Sequence, residues 1–484
     1  MSAVKLCADT LSAADSRSVD ASPHESSVND TNTVASTAIN CPAILIAGIA
    51  SGQGKTTVTA ALARYHMRHG RRVRVFKAGP DFLDPMMLQA ASGAAVENLD
   101  LWMVGAARSR ALLYRAAAAS DLILIEGAMG LYDGDPSAAD LARAFAVPVA
   151  AVIDAGAMAQ TFGALALGLK QYQPIPFAGV IANRVASTGH AAMLKASLPA
   201  DIPLLACIGR AELPLPERHL GLVQASELAD LGMRLDALAD LIEASGLTAL
   251  PPAVAFEAPG DTADAQHAST LPRLLVGRRI AVARDDAFSF IYPSNLSTLE
   301  AMGATLHFFS PLADAPVPAA DALWLPGGYP ELHAERLAAN QQWQVSVRAF
   351  HAAGKPILAE CGGMMALTES LETVGGQQFP MSGLIPGKVV MQKRLAALGM
   401  QEVALPLTSE AELPVASSAN GTLRGHTFHY SRFETPLQPH VRTRKAKGGG
   451  EGEAVYQTGN LTASYFHAYF ASNPKAIASL FSNA

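Results

Sequence analysis

The sequence predicts an α/β protein with two domains in series, each built on a largely parallel sheet. Three observations support this: short apolar runs alternate with helical stretches, several runs end in glycine, and the alternation stops once and then resumes. Buried strands that alternate with helices are typical of doubly wound parallel sheets. The runs of the first domain are AILIAG (43–48), RVRVFKAG (72–79), DLILIEG (121–127), VPVAAVIDAG (147–156), FAGVIANR (177–184) and IPLLACIG (202–209).

A second alternation predicts a mixed α/β sheet in the C-terminal half. Its apolar runs are RRIAVARDD (278–286), TLHFF (305–309), ALWLPGG (322–328) and KPILAECGG (355–363). The segments GTLRGHTFHYSRFE (421–434) and LTASYFHAYF (461–470) look antiparallel instead. The second domain is therefore expected to combine parallel and antiparallel strands.

Two segments interrupt these patterns and set the expected domain boundaries. Residues 1–40 contain 12 Ser or Thr, no aromatic residue and no sustained apolar period, which predicts a disordered tail. Residues 250–277 are rich in Pro, Ala, Asp and Gly and predict a linker. The two domains are then expected at 41–249 and 278–484.

Composition excludes several classes of protein. Of the 484 residues, 50% are hydrophobic and only 16% are charged, so global disorder is excluded. The net charge of −6 argues against a chain made mainly to bind nucleic acid or an anionic membrane. Four cysteines without a CxxC pair favour a reduced, cytoplasmic location. No apolar run reaches the roughly 18 residues of a membrane span.

The segment AGIASGQGKTT (47–57) lies between a predicted strand and the predicted helix 58–70, as a phosphate-binding loop requires. Backbone N–H groups and the helix N-terminus would bind phosphate oxygens. Lys55 would reach the β- and γ-phosphates, and Thr56 would bind Mg²⁺. The loop is one residue longer than the standard motif, and a plain glycine-rich turn is the alternative.

Acidic residues follow two predicted strands of the first domain. Glu126 follows the run LILI, and Asp81 and Asp84 follow RVRVF. Carboxylates at the ends of parallel strands are suitable Mg²⁺ ligands, because hard cations prefer oxygen. A helix cap is the alternative for such residues, and for Asp84, which precedes Pro85, both interpretations stay open.

The segment PILAECGGMM (356–365) has the layout of a nucleophile elbow, in which a strand runs into a nucleophile and a helix follows. The helix N-terminus is expected to lower the pKa of the Cys361 thiol. The N–H groups of Gly362 and Gly328 could form an oxyanion hole, and His467 could be the base. A buried structural cysteine is the alternative.

A pair of histidines, His426 and His429, has a spacing that can bind zinc. No cysteine or third histidine lies nearby in the sequence. Packing or hydrogen bonding between strands is therefore the favoured interpretation.

In both the phosphate loop and the Cys361 segment, the chain resembles the cobyrinic acid or hydrogenobyrinic acid a,c-diamide synthases. These are glutamine-dependent, ATP-consuming ligases of corrin-ring biosynthesis. The resemblance runs from about residue 43 to 482. Besides the phosphate loop, the matching segments are PDFLDP (80–85), EGAMGLYDG (126–134), ARDDAFSFIYPSNL (283–296), PGGYPEL (326–332), ECGG (360–363), GHTFHYS (425–431) and SYFHAYF (464–470).

The resemblance implies a dethiobiotin-synthetase-like P-loop domain followed by a class I glutamine amidotransferase domain. It assigns catalysis to Cys361 and His467 and Mg²⁺ binding to Thr56, Asp81 and Glu126. It places Asp84, Tyr132 and Asp133 toward the corrinoid substrate. The ATP-binding residues that it implies are Gly52, Gly54, Lys55, Thr56, Thr57, Lys77 and Asn183, the last facing adenine.

The implied reaction divides between the two domains. Cys361 would release ammonia from L-glutamine, and ATP would phosphorylate the a and c acetate carboxylates of the macrocycle in turn. Ammonia would then displace phosphate. A homodimer is the assembly to be tested, and neither nucleic acid nor a membrane is expected as a partner.

The chain departs from the family pattern at three positions. Tyr469 stands where many class I amidotransferases have the glutamate of a triad, so a Cys–His dyad with another orienting group is expected. Pro326 replaces a glycine, and Phe82 replaces the usual tyrosine and removes its hydroxyl.

Three rival functions share some of these motifs. A cobyric acid synthase would amidate other side chains of the ring, and a nickel-tetrapyrrole a,c-diamide synthase would differ in its substrate. A P-loop nucleotide switch that recruits a partner would leave Cys361 and His467 without a role.

Overall fold

The computed structural model describes residues 38–218, 221–259, 271–405 and 422–482. Most of the predicted tail 1–40 and the central part of the predicted linker 250–277 lie outside the described residues. Within the described ranges, no helix combines the length and the apolar character that crossing a membrane would require.

The first half of the chain forms a parallel sheet with strand order β3-β2-β4-β1-β5-β6-β7. The six strands expected from the apolar runs are all present, and their central residues are buried. The strands are β1 (Ile39–Gly48), β2 (Val73–Ala78), β3 (Glu97–Leu99), β4 (Leu122–Glu126), β5 (Val149–Asp154), β6 (Phe177–Val185) and β7 (Leu204–Gly209).

Helices cover both faces of this sheet, as a doubly wound fold requires. They are α1 (Lys55–Arg68), α2 (Leu83–Ser92), α3 (Ala106–Ala119), α4 (Ala138–Ala144), α5 (Thr161–Gln171), α6 (Thr188–Ser197) and α7 (Leu231–Ser245). A π-helical turn, Leu101–Gly105, precedes α3, and a 3₁₀ turn, Ala225–Glu227, precedes α7.

Among the described residues that precede the second predicted domain, four short strands were not apparent from the sequence. The strand β3 has three residues, and β8 (Glu217–Arg218) and β9 (Gly221–Leu222) have two each. Inside the predicted linker, β10 (Ala253–Phe256) pairs antiparallel with the first residues of β1, from Ile39 to Pro42. This pairing explains why β1 begins before its apolar run. The domain boundaries themselves stay a prediction.

The second half of the chain forms a mixed sheet with strand order β12-β11-β13-β14-β23-β22-β21-β18-β19-β24. The first five strands in this order are parallel and the remainder pair antiparallel, so the predicted mixed sheet is confirmed. The segment 461–470 was expected to be antiparallel, but its strand β23 pairs parallel with β14 and antiparallel only with β22. The strands are β11 (Arg279–Ala283), β12 (Thr305–Phe309), β13 (Ala322–Leu325), β14 (Ile357–Glu360), β18 (Ala397–Val403), β19 (Leu423–His429), β21 (Val441–Lys445), β22 (Glu451–Thr458), β23 (Leu461–Ser464) and β24 (His467–Ala468).

A small sheet and several helices complete the second half. The small sheet has the order β16-β15-β17-β20, with β15 (Thr368–Glu372), β16 (Gln378–Pro380), β17 (Ile385–Met391) and β20 (Ser431–Glu434). The helices are α8 (Pro293–Ala301), α9 (Ala334–Ala339), α10 (Gln341–Ala352), α11 (Gly362–Met365) and α12 (Pro474–Leu480). Three 3₁₀ turns lie at Pro311–Ala313, Pro330–His333 and Phe470–Ser472.

The loops that follow β2 and β11 meet between the two sheets. A single buried apolar cluster contains residues of the first sheet together with Tyr292 and Tyr469 of the second half. Polar contacts reinforce it: the Arg424 guanidinium donates to Trp102 O at 2.8 Å and lies over the Trp102 ring. The ends of the two sheets that carry the candidate site residues are thereby held together.

Candidate active site

The phosphate loop connects β1 to α1 and has the backbone conformation that the motif predicts. Gly52 and Gly54 have positive φ angles of 78° and 89°, which glycine adopts without steric cost. The Lys55 ammonium donates to Ala50 O at 2.9 Å, across the loop. Thr56 and Thr57 follow in the first turn of α1. The loop can therefore direct N–H groups and a lysine toward phosphate oxygens.

Asn183 lies at the end of β6 and braces this loop. Its side-chain amide donates to Gln53 O at 2.9 Å, and a Cβ on Gly54 would lie 2.3 Å from the same nitrogen. Gln53 in turn accepts a hydrogen bond from Asp154 N at 2.9 Å. The sequence predicted Asn183 at the adenine, and that role stays a prediction. The bracing contact and the part of Gln53 were not foreseen.

The buried Lys77, at the end of β2, lies close to all three acidic residues predicted from the sequence. Lys77 Nζ lies 2.5 Å from Asp84 Oδ2, 3.1 Å from Glu126 Oε1 and 3.5 Å from Asp81 Oδ2. Lys77 is 3% exposed and Glu126 is fully buried. The structure thus brings together Asp81, Asp84 and Glu126, as the sequence predicted, with a lysine at their centre.

Burial and charge act in opposite directions on these groups. Burial raises the pKa of Glu126 to about 8 against the opposing effect of Lys77, and burial together with Asp84 raises the pKa of Asp81 to about 7. Burial lowers the pKa of Lys77, but the surrounding carboxylates outweigh it and the net pKa is raised. The mutual neutralisation explains how these charges are held in an apolar sheet edge.

The donor set at Glu126 fits a magnesium ion that is bound together with phosphate oxygens. Glu126 Oε1 accepts from the Thr56 hydroxyl at 2.6 Å, while buried Glu126 Oε2 finds no hydrogen-bond partner among the described residues. No group of three or more His, Cys, Asp or Glu side chains is arranged to hold a metal in the described ranges. Such a group is not needed, because Mg²⁺ usually takes one or two protein ligands plus phosphate and water.

Asp81 has a structural role in addition to its place in the charged cluster. Its Oδ1 accepts from Leu83 N at 2.9 Å and from Asp84 N at 3.2 Å, at the start of α2. A helix cap was the alternative expected for Asp84, but in the structure it is Asp81 that makes the cap-like contacts. Asp84 lies in the first turn of α2 and contacts Lys77 instead.

Asp133 and Tyr132, the two remaining residues predicted to face the substrate, have different surroundings. Asp133 is exposed, accepts from Gly130 N at 2.9 Å and lies close enough to Lys55 to oppose the lowering of its pKa by burial. Tyr132 donates to Leu169 O and packs against Tyr172. The structure therefore brings Asp133 to the phosphate loop, whereas the Tyr132 hydroxyl is engaged with the chain at the end of α5.

Cys361 lies on a sharp turn between β14 and α11. Its φ of 44° and ψ of −105° form a conformation that residues with a Cβ seldom adopt, and such strain is typical of a nucleophile elbow. Cys361 N donates to Ser464 O at 2.7 Å, which ties the turn to the neighbouring strand β23, three residues before His467. Cys361 and His467 thus follow adjacent parallel strands at the same end of the sheet.

The backbones of Gly328 and Gly362 approach each other beside this turn. A Cβ on Gly362 would lie 2.9 Å from Gly328 N, and a Cβ on Gly328 would lie 2.1 Å from Ala287 O. Side chains are therefore excluded at both positions. The backbones of the two predicted oxyanion donors are therefore in close contact, and their role as donors stays a prediction.

Rings and backbone surround His467. Its ring centroid lies 5.1 Å from His426, 5.1 Å from Phe82 and 6.3 Å from Phe290, and a Cβ on Gly327 would come within 2.3 Å of its Cε1. His467 Nδ1 has no hydrogen-bond partner among the described residues. Packing of these groups therefore orients the ring.

One expectation about the cysteine is wrong. The helix N-terminus was expected to lower the thiol pKa, but burial raises the pKa of Cys361, and Glu331 adds to the effect. The helix α11 is a single turn, so its dipole is too weak to offset the desolvation. Burial also lowers the pKa of His467 well below its usual value. Burial therefore disfavours the charged form of each group.

Tyr469, at the position of the missing triad glutamate, does not act as the group that orients His467. Its ring is fully buried beside Tyr292, and Arg108 donates to its hydroxyl at 3.4 Å. It thus contributes to the contact between the two sheets.

The two histidines of GHTFHYS form separate contacts, as the packing interpretation expected. His426 Nδ1 shares a 3.0 Å hydrogen bond with the Tyr292 hydroxyl. His429 Nε2 lies 3.1 Å from Glu453 Oε1, and its ring stacks on Tyr465. Within the described ranges, neither belongs to a group that could bind zinc.

Sequence reasoning missed Glu360, which directly precedes the nucleophile. Its Oε1 accepts from Ala468 N and its Oε2 from Trp324 Nε1, both at 2.8 Å. Burial raises the pKa of Glu360 to about 7. This carboxyl connects β14 to the strand that carries His467. The only signal for Glu360 in the sequence was its position next to Cys361 in the segment ECGG.

Comparison with known proteins agrees with both halves of this description. Residues 44–222 match the family described as CobQ/CobB/MinD/ParA nucleotide binding domain, and residues 279–475 match the CobB/CobQ-like glutamine amidotransferase domain. The predicted fold class and the order of its two parts are confirmed.

Several relatives match over nearly their whole length. Hydrogenobyrinate a,c-diamide synthase of Stutzerimonas stutzeri is 58% identical over 446 residues, which cover 92% of this chain and 99% of that protein. The protein of the same name from Pseudomonas aeruginosa is 56% identical over 446 residues, covering 92% and 98%. Cobyrinate a,c-diamide synthase of Herminiimonas arsenicoxydans is 56% identical over 442 residues, covering 91% and 96%.

The contact between Gly54 and Asn183 generates a prediction about the phosphate loop. In Gly54→Ala, the positive φ costs about 1–3 kcal/mol, and the new Cβ also collides with the Asn183 amide. We expect Gly54→Ala to weaken ATP binding, measured by calorimetric titration, much more than Gly52→Ala. Gly52 is the matched control, because its φ is also positive but a Cβ there meets no atom within 4 Å. Equal losses in the two variants would contradict the role of the Asn183 contact.

Proposed function

The chain belongs to the hydrogenobyrinate and cobyrinate a,c-diamide synthase family, and we propose how its two sites divide the glutamine- and ATP-dependent amidation of a corrinoid. The observation that supports this division most directly is the arrangement around PDFLDP (80–85). Asp81 and Asp84 contact Lys77 beside the phosphate loop, while Phe82 between them contacts His467. Two sites with different chemistry therefore meet at one short segment.

The site at Cys361 would release ammonia from glutamine. The thiol gives its proton to His467, and the sulfur attacks the carboxamide carbon of glutamine. The N–H groups of Gly328 and Gly362 stabilise the oxyanion that forms on the carboxamide oxygen. The C–N bond then breaks, His467 returns the proton to the leaving nitrogen, and ammonia and a glutamyl thioester result. Water hydrolyses the thioester to glutamate and restores the thiol.

The uncharged forms of the Cys361 thiol and the His467 imidazole, which burial favours, suit these reaction steps. A buried thiolate without substrate would cost desolvation energy, so the proton leaves the sulfur only as the new C–S bond forms. A neutral imidazole is the form that accepts a proton. His467 Nδ1 has no hydrogen-bond partner among the residues that the structure describes, so the stacked His426 and the Gly327 backbone hold the ring in place.

The site at the phosphate loop would activate the carboxylate of the corrinoid. The terminal phosphoryl group of ATP passes to a peripheral acetate oxygen, which gives an acyl phosphate and ADP. Ammonia attacks the acyl carbon, the C–N bond forms, and phosphate leaves as the C–O bond breaks. Lys55 and Lys77 neutralise charge on the transferred phosphoryl group and on the carboxylate.

We propose Thr56, Asp81 and Glu126 as the residues that hold Mg²⁺ when ATP is bound. The ion supplies charge neutralisation between the phosphates. The unpaired Glu126 Oε2 supports the assignment, since a buried carboxylate oxygen without a partner is costly. Asp81 would have to exchange its 3.5 Å contact with Lys77 for the ion.

The substrate would enter beside the same loop. Asp133, exposed at the phosphate loop, and Asp84, in contact with Lys77, are proposed to face the macrocycle. Tyr132 is proposed to contribute its ring. Relatives named for hydrogenobyrinate are 58% and 56% identical and one named for cobyrinate is 56% identical, so both rings are candidates. A homodimer, a cytoplasmic location and the lack of a nucleic-acid partner stay predictions.

A product assay tests the proposed function. The protein is incubated with Mg·ATP, glutamine and either hydrogenobyrinic or cobyrinic acid, and product masses are measured. Each amidation replaces OH by NH₂ through acyl transfer, so two successive decreases of about one dalton are expected. A product that stops at two amides supports the proposal and identifies the preferred ring. No mass change on either ring, with glutaminase activity intact, would contradict it.

A substitution at the nucleophile tests the division of labour. Cys361→Ala should abolish glutamine-dependent amidation, because no thioester can form, and should keep amidation with ammonium chloride near that of the unmodified protein. Cys207→Ala is the control, since Cys207 is a free, half-buried cysteine on β7. Loss of the ammonium-dependent reaction in Cys361→Ala would show that the two sites do not act separately.

A substitution at Glu126 tests the proposed metal-binding site. Glu126→Gln keeps the shape and one acceptor oxygen but loses the charge, and we expect amidation with ammonium chloride to fall about 100-fold or more. The Mg²⁺ concentration needed for half-maximal rate should rise. Glu257→Gln, on an exposed residue, is the control. An unchanged Mg²⁺ dependence would argue for a purely structural role of Glu126.

A further inference from the structure

The Phe82 side chain occupies the position between the two reaction sites. Its ring lies 5.1 Å from the His467 ring, 4.4 Å from Tyr292 and 5.0 Å from Phe290, with which it stacks at an interplanar angle of 4°. We call Phe82, Phe290, Tyr292, His426 and His467 the aromatic layer. His467 is the member that would handle the proton of the nucleophile, so the layer begins at the glutamine site.

The backbone of Phe82 belongs to the other site. Its neighbour Asp81 lies 3.5 Å from Lys77 Nζ, and Asp84, two residues further, lies 2.5 Å from the same nitrogen. The Phe82 ring therefore lies beside the base of the first site, while its chain neighbours form part of the charged cluster of the second.

An aromatic layer discriminates between the species that could cross it. Moving an ammonium ion from water into an apolar environment is far more costly than moving a neutral polar molecule of the same size. Burial also lowers the pKa of His426 to about 3, so this histidine adds no positive charge to the layer. Neutral ammonia is thus the form suited to crossing, and it is the form that can attack an acyl carbon.

We infer that the Phe82 ring is the barrier between the two sites, across which ammonia passes and which keeps glutamine hydrolysis coupled to amidation. The inference rests on the function proposed above. The Phe82 ring is half-buried and packs on Phe290, Tyr292 and His467, so it fills the place between the two sites. The ring takes no part in bond making: ammonia released by cleavage of the glutamine C–N bond arrives unchanged and displaces phosphate from the acyl carbon.

The test measures coupling in Phe82→Ala. The protein receives Mg·ATP, corrinoid, and glutamine labelled with ¹⁵N in its side-chain amide, with unlabelled ammonium chloride in the solution. Glutamate formed per corrinoid amide formed, and the ¹⁵N fraction of the product amide, are both recorded. We expect the glutamate-to-amide ratio to rise several-fold and the ¹⁵N fraction to fall, because the opened barrier lets ammonia exchange with solvent.

Matched variants distinguish loss of the barrier at Phe82 from a general loss of enzyme function. Phe82→Tyr keeps the ring and should retain the coupling of the unmodified protein. Phe308→Ala removes an exposed phenylalanine on β12 and should change neither readout. Amidation driven by ammonium chloride alone, at a pH where ammonium loses its proton, should stay unchanged in Phe82→Ala, because the charged cluster is retained.

The outcomes distinguish the barrier from the proposed function. An unchanged ratio and ¹⁵N fraction in Phe82→Ala would overturn the barrier role. Loss of ammonium-driven amidation in a variant with a normal melting temperature would also overturn it, because the ring would then serve the ligase site itself. Failure of the unmodified protein to amidate with either nitrogen donor would instead refute the proposed function.

Discussion

The burial of Lys77 among three carboxylates is the interaction on which the arrangement of both sites depends. An ammonium ion and several carboxylates at an apolar sheet edge are tolerated only when they neutralise one another. Asp84 satisfies this requirement from the first turn of α2, and Asp81 fixes the start of that helix through its contacts with backbone N–H groups. The position of α2 then places Phe82 against the second half of the chain.

The site at Cys361 obeys a different constraint, which is close packing of backbone. Gly328 and Gly362 meet at a distance that excludes any side chain, and Gly327 lies against the His467 ring. Space for the oxyanion donors and a fixed orientation of the base both follow from this packing. The strained turn at Cys361 is stabilised by its hydrogen bond to Ser464 and by the neighbouring Glu360, which binds the strand of His467.

Charge is distributed in opposite ways in the two sites. The ligase site concentrates acidic and basic groups that can meet phosphates and a carboxylate, and three carboxyl groups lie within 3.5 Å of Lys77 Nζ. In the glutamine site, burial disfavours charge on both the thiol and the imidazole. A neutral product suits transfer between them, since the aromatic layer disfavours ions. The separation of charged from neutral chemistry is therefore built into the contact between the two sheets.

Four features could be predicted from the amino-acid order alone: the two α/β parts, the phosphate loop, the elbow at Cys361 and the carboxylates after β2 and β4. Each of these depends on local order: an apolar run, a glycine at a fixed offset, or an acidic residue at a strand end. Other features become visible only in the folded chain. Lys77 lies at the centre of the carboxylates, Asp81 accepts from backbone N–H groups at the start of α2, burial raises the thiol pKa, and Phe82 contacts His467. Those features arise from residues far apart in the chain, and burial and distance in the folded protein set their energies.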